Sequence, residues 1–270
     1  MLGATNGKGT LDAATVSGES SGAEVFRERF GNDRPTLSKK NELRPHLSVY
    51  WKIPPDGNPA FVAAMEDVLQ VYHLPYDASF PVVCMDESNK QLIGEVHPPI
   101  APAPGHGQLV DHEYVRNGVA QIFVEVEPLT GQRHVEITET RTRKDWAAFI
   151  KAMLEERYPE AIKVRLVMDN LNTHNIASLY AAFPPNEARQ LADRLEIHYT
   201  PKHGSWLNVA EIELSALNSQ SLNRRIADID TMRREIKACQ DSRNQRAKPV
   251  DWQFTNDKAR IKLKRLYPKL

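Results

Sequence analysis

Cysteine is scarce in this chain, with Cys84 and Cys239 the only two in 270 residues. Two cysteines make neither a disulfide framework nor a zinc signature, and the nine histidines show no ligand spacing with them. A reducing, cytoplasmic setting is the expectation. No apolar run is long enough to span a bilayer. The opening Met1-Leu-Gly-Ala-Thr-Asn6 lacks the basic and apolar regions of a signal peptide. A P-loop, a dinucleotide fingerprint, a Gly-x-Ser-x-Gly elbow and zinc-finger spacing are absent as well. Net charge is also missing, because 35 Lys and Arg balance 35 Asp and Glu. Bulk composition therefore does not announce a nucleic-acid binder.

The balance is uneven along the chain. From Ser221 to Leu270 there are 14 Lys and Arg against 6 Asp and Glu, and the other 220 residues carry 21 against 29. A basic tail on an acidic body suits a protein that holds a polyanion at one place and cations at another. A solvated helical tail accounts for the same charges. The pairs Arg224-Arg225 and Arg233-Arg234 read more simply as a solvated helix face than as DNA contacts.

Residues 1–42 are rich in Gly, Ser, Thr and charge, and are expected to be disordered or loosely attached. Residues 43–78 read as a linker and a helix. Asn58 can cap that helix and Pro59 suits its first position. Phe61, Met65, Leu69 and Tyr72 recur on one face, and Pro75 is the expected stop. The pattern then turns to strands. Phe80–Met85 is a short apolar run, followed by a Pro/Gly/His loop over about His97–Gly107. Val119–Val126 and Arg133–Thr138 flank Pro128-Leu-Thr-Gly131, a hairpin signal. Thr142-Arg-Lys-Asp145 resembles a capping box. A strand over Val164–Met168, a helical stretch broken at Pro184-Pro185, a strand over Glu196–Thr200 and a helix from about Asn208 complete the core. Two more helices are expected in the last fifty residues, around Ile229–Cys239 and from Thr255 to before Pro268.

Three strands, then helices alternating with two more, imply an α/β mixed sheet flanked by helices. This element order matches the ribonuclease H-like fold, in which the first strand is central and the fourth lies beside it. The expected division is 43–78 linker helix, 79–220 ribonuclease H-like domain and 221–270 basic helical extension.

Three acids fall at the edges of these elements. Asp86 ends the run Phe80–Met85, Asp169 ends Val164–Met168, and Glu211 lies just inside the helix after the last strand. Converging carboxylates do little for a core, since each is costly to bury unpaired. They are what a pair of divalent cations needs for phosphodiester chemistry. Each has a plainer reading. Asp86 can form a turn, Asp169 can cap a helix, and Asn208-Val-Ala-Glu211 fits a capping box. Glu87 points to the other side of a continuing strand, and Glu213 competes with Glu211 while facing a different direction. Asn170, His174, His203 and Ser205 are candidates to shape the site or touch a phosphate backbone.

Three blocks carry a resemblance: Cys84-Met-Asp-Glu-Ser88, Leu166-Val-Met-Asp-Asn-Leu-Asn-Thr-His174, and Tyr199-Thr-Pro-Lys-His-Gly-Ser-Trp-Leu-Asn-Val-Ala-Glu-Ile-Glu213. Together they resemble the DDE transposases, in particular the bacterial insertion-sequence group related to mariner elements. The resemblance runs from about Leu43 to the C-terminus. It implies Asp86, Asp169 and Glu211 as the catalytic, metal-binding triad, and favours Glu211 over Glu213 because Glu211 follows Leu207-Asn208 at the family's spacing. It further implies Mg2+, with Mn2+ as substitute, DNA (transposon ends and target) as partner, no membrane, a homodimer or multimer on DNA, and a bacterial, nucleoid-associated location. Cut-and-paste transposition is the activity it implies. A metal-dependent endonuclease without strand transfer and an inactive remnant that only binds DNA are the alternatives. Family members carry helix-turn-helix modules ahead of the catalytic domain. Residues 1–42 occupy that space here, so the chain is expected to keep only the end of the linker.

Overall fold

The computed structural model describes residues 57–268. The expectations for residues 1–42 and for the first part of the linker, 43–56, lie outside the described residues.

Helix α1 spans Pro59–Tyr72, with Phe61 N–H donating to the Asn58 cap at 3.0 Å. It ends at Tyr72, two residues earlier than a stop set by Pro75 would give. Strands β1 (Val82–Glu95), β2 (Tyr114–Glu127) and β3 (Gln132–Thr138) follow. Helix α2 (Arg143–Ala152) carries the reciprocal Thr142–Asp145 capping box and runs on into a π-helical turn, Met153–Arg157. Then come β4 (Val164–Met168), α3 (Ile176–Ala182), α4 (Pro185–Asp193) and β5 (Leu195–Tyr199). A 3-10 turn, Ser205–Leu207, leads into α5 (Val209–Leu217), which closes in a π-helical turn, Asn218–Leu222. Helices α6 (Ile229–Gln245) and α7 (Asn256–Lys262) and a 3-10 turn, Lys264–Leu266, complete the described chain.

The sheet order is β3-β2-β1-β4-β5. β1, β2 and β3 are antiparallel neighbours, while β4 and β5 run parallel to β1. This is the ribonuclease H-like arrangement, with β1 central and β4 beside it. Residue parity divides the sheet into two faces. Val82, Cys84 and Val167 pack into one core with α1, α5 and α6. Val83, Met85, Leu166 and Met168 pack into the other with α2, α3 and α4.

Strand β1 is longer than the apolar run that announced it. It continues past Asp86 to Glu95, because β2 pairs with it as far as Glu95, whereas β4 pairs only with Val82–Cys84. Asp86 thus lies inside a strand rather than at its end, at the level where the parallel neighbour stops. β2 likewise starts at Tyr114, earlier than its apolar half shows, because Tyr114–Val119 are exposed.

The free edge of β3 is covered by α6. Gln240 Oε1 accepts from Val135 N–H at 2.7 Å, and Asn244 bonds both the N–H and the C=O of Arg133 at 3.0 and 2.8 Å. Side chains of a helix here satisfy ladder groups that would otherwise be left for another strand.

Candidate active site

Parity and register bring the acids together. Cys84 pairs with Val167, so the same register two residues on sets Asp86 beside Asp169. Both acids share the face of Cys84 and Val167, which is the face α5 covers. Asn208 anchors that helix twice. Its Oδ1 accepts from Ala210 N–H at 3.1 Å, and its Nδ2 donates to Met85 O at 2.8 Å, tying the start of α5 to the residue before Asp86. Glu211 follows in the first turn of α5, where a carboxylate is favoured by the helix dipole. The capping-box alternative for Glu211 is not realised, since Asn208 N–H donates to Ser205 O at 2.8 Å.

Asp86, Asp169 and Glu211 line one open cleft of about 440 Å3, with Glu87, Ser88 and Arg141 on its walls. Glu213 takes no part. It is buried and accepts a two-pronged bond from Arg243 at 2.9 Å on each oxygen, with Arg133 Nε 3.2 Å from Oε1. The two-residue offset on the helix separates an acid left open to the cleft from an acid consumed by packing.

Glu87 turns to the opposite face, as its position predicts. It meets Arg141 Nε and His174 Nε2, each at 3.3 Å. His174 is fully buried and stacks on Trp146, with ring centroids 6.0 Å apart. Its Nδ1 lies 2.5 Å from Asp169 Oδ1, and its carbonyl accepts from Tyr199 Oη at 2.8 Å. The imidazole therefore bridges Glu87 to Asp169. Burial alone pulls His174 down, and the two carboxylates more than reverse this, carrying it up to about 9. Although Glu87 Oε2 and His174 Nε2 are 3.3 Å apart, neither makes an aligned hydrogen bond, so their contact is one of charge. His174 thus holds Asp169 in place, more than a core or capping residue would, while Arg141 was not foreseen. The one available signal for Arg141 was its place immediately before the Thr142 cap.

Asp86 makes no direct pair with the His174 imidazole. Burial pushes its carboxyl up to about 7; the Glu87 N–H at 2.8 Å and the charge of His174 oppose this, and Asp169 and Glu211 add to it. Neither Asp86 nor Glu211 forms an ion pair with a cationic side chain among the described residues. A second hollow of about 560 Å3 shares Asp169 with the cleft and is lined by Asn170, Lys202, His203 and Ser205 beside the start of α1. His203 holds a left-handed backbone, φ 66°, which non-glycine residues seldom adopt. Arg224 and Arg225 instead pair with Glu235 and Glu95, at 2.6 and 2.5 Å.

No curated protein matches the chain. Among solved structures it is similar to a Mos1 transposase paired-end complex with the left transposon end, at 13% identity and TM-score 0.48, over 76% of this chain and 60% of that one. It is also similar to the Mos1 strand transfer complex, at 11% identity and TM-score 0.49 over 73% and 58%, and to the mariner Mos1 paired-end complex with Mg, at 12% and 0.49 over 84% and 69%. The chain spans about 60% of the length of the first of these. A family profile described as DDE superfamily endonuclease matches residues 81–233, which covers the whole sheet, α2 to α5 and the cleft. With more than half of its length so matched, this protein belongs to the DDE superfamily endonucleases.

Proposed function

We propose that the chain is a transposase catalysing metal-dependent DNA strand cleavage and strand transfer, with Asp86, Asp169 and Glu211 as its catalytic and metal-binding residues. The observation that carries this reading is the convergence of three carboxylates on one open cleft. The most buried of them, Asp86, is pushed up to about 7 by burial, and Asp169 and Glu211 add to the shift. Such a site favours a divalent cation with oxygen ligands.

The donor set fits that ion by chemistry. Among the described residues no three His, Cys, Asp or Glu side chains stand together so as to hold a metal ion on their own. An open set of carboxylates, completed by water and phosphate oxygens, is what Mg2+ takes, with Mn2+ as substitute. Bound cations would supply positive charge to the attacking and leaving oxygens of an in-line displacement at phosphorus. The protein supplies position. His174 fixes Asp169, the Glu87 N–H fixes Asp86, and Asn208 fixes the helix that carries Glu211. Arg141, half open at the cleft wall while paired to Glu87, is placed to meet a backbone phosphate.

On this reading residues 79–220 form the catalytic domain and 221–270 an extension that braces the sheet edge. DNA is the partner, with a dimer or larger assembly formed on it. The test is incubation of the protein with DNA bearing pre-cut transposon-like ends and a target duplex, with and without Mn2+ or Mg2+. Metal-dependent joining of the 3′ end to target is expected. Cutting without joining would contradict the transposase reading and leave a nuclease.

A further inference from the structure

A polar hollow of about 570 Å3 opens between the turn Asn218–Leu222 and α6, away from the catalytic cleft. Three arginines line it. Arg133, on β3, is 8% exposed in its side chain. Its Nη2 donates to Gly131 O at 2.7 Å, but its Nε is enclosed and lacks an aligned acceptor. Glu213 Oε1 is 3.2 Å from that nitrogen, out of line with the N–H. Arg243 commits Nε and Nη2 to Glu213 and Nη1 to Gln220 Oε1 at 3.1 Å. Arg246, exposed at the rim, bonds Ser242 Oγ at 2.9 Å. Against them stand Glu213, which meets Arg133 and Arg243, and Glu235 on the wall, the latter 2.6 Å from Arg224. Arginine is in excess over carboxylate, and Arg133 and Arg243 repel each other across Glu213.

A concave surplus of guanidinium N–H donors beside the hydroxyls of Ser221 and Ser242 suits a tetrahedral oxyanion. The lining holds no aromatic ring on which a base could stack. We propose that this pocket binds one backbone phosphate of a DNA strand, through Arg246 with the serine hydroxyls as neutral donors and the charges of Arg133 and Arg243 behind them. The inference rests on the reading of the chain as a DNA-processing enzyme and adds where the strand is held outside the cleft. Glu213, to which the lining residues Arg133 and Arg243 are tied, follows Glu211 by two residues on α5, so one helix links this pocket to the triad. Contacts of this kind position a strand without reading its sequence.

Arg246 is the residue to change, because it lies at the rim and does not touch Glu213. Binding of a fluorescein-labelled DNA duplex is measured by anisotropy over a range of NaCl concentrations for the parent and Arg246→Ala. The variant is expected to bind several-fold more weakly, on every sequence tried, with the slope of log K against log [salt] reduced by about one. Parent-like affinity and slope would overturn the proposal, as would weaker binding with an unchanged slope. A second arm titrates inorganic phosphate into parent protein without DNA, following the arginine Nε–H signals by NMR. Phosphate binding there, with DNA binding untouched by Arg246→Ala, would make this a free-anion site and overturn the DNA assignment. A parent that binds no DNA at all would sink the functional reading itself together with this one.

Discussion

Asp86 is where charge and burial conflict most sharply, and its titration gives a prediction with a definite sign. In the fold it keeps its proton up to about pH 7, whereas an unfolded aspartate releases it at about 3.9. Between those values only the folded state carries the proton, so stability falls as pH rises across that window and the loss is complete above it. Asp86→Asn should therefore raise the melting temperature of the metal-free protein at pH 8 and leave it nearly unchanged at pH 4. The same variant should abolish the stabilisation that added Mn2+ gives the parent. A thermal-shift series over pH and metal checks both, and a variant still stabilised by Mn2+ would remove Asp86 from the metal set. His174 works with the opposite sign. Its raised pKa stabilises the fold fully below about 6.5 and is lost as pH passes through about 9. His174→Ala leaves Glu87 buried without its imidazolium, so a loss of about 3–5 kcal/mol in chemical denaturation at pH 6 is expected. Metal affinity should fall by about 10–100-fold, as when an orienting partner of a ligand is removed. At this scale Asp86, Asp169 and Glu211 were legible as acids at element edges. The bridge Glu87–His174–Asp169 was not, because it joins residues 87 and 174, which no local pattern relates.

Helix α5 shows how one element sorts two similar acids. Glu211 opens to the cleft and Glu213 locks to Arg133 and Arg243. Glu211→Gln should remove metal-dependent cleavage with little change in stability. Glu213→Gln should do the reverse, destabilising the fold by about 3 kcal/mol or more through two stranded arginines while sparing much of the chemistry. Paired denaturation and cleavage measurements decide this, and the opposite pattern would exchange the two roles. The start of α5 was readable from Asn208, and α1 and α2 from the Asn58 cap and the Thr142–Asp145 box. These signals are local, so sequence carries them. The true length of β1 was hidden, because its second half, Glu87–Glu95, is polar and partly exposed and is held as strand by pairing to β2. The covering of the β3 edge by Gln240 and Asn244 was hidden for the same reason, since a side chain that replaces a strand looks like any polar residue on a helix.

For the molecule as a whole, the order β3-β2-β1-β4-β5 followed from a hairpin-linked trio of strands and two later strands separated by helices. That order makes β1 and β4 neighbours, and their register and residue parity send Asp86 and Asp169 to one face. The even charge of the full chain conceals a spatial partition, with acids in the cleft and arginines gathered on α6 and its surroundings. On the proposed function, three carboxylates from β1, the end of β4 and α5 act as one metal-dependent centre. Mn2+-dependent strand cleavage of a labelled DNA duplex decides this, comparing the parent with Asp169→Asn, a change that keeps size and the option of a hydrogen bond to His174. Cleavage by the parent is expected only when metal is added, and none above background from the variant, with both proteins equally folded by circular dichroism. Cleavage by Asp169→Asn at the parent's rate would contradict it.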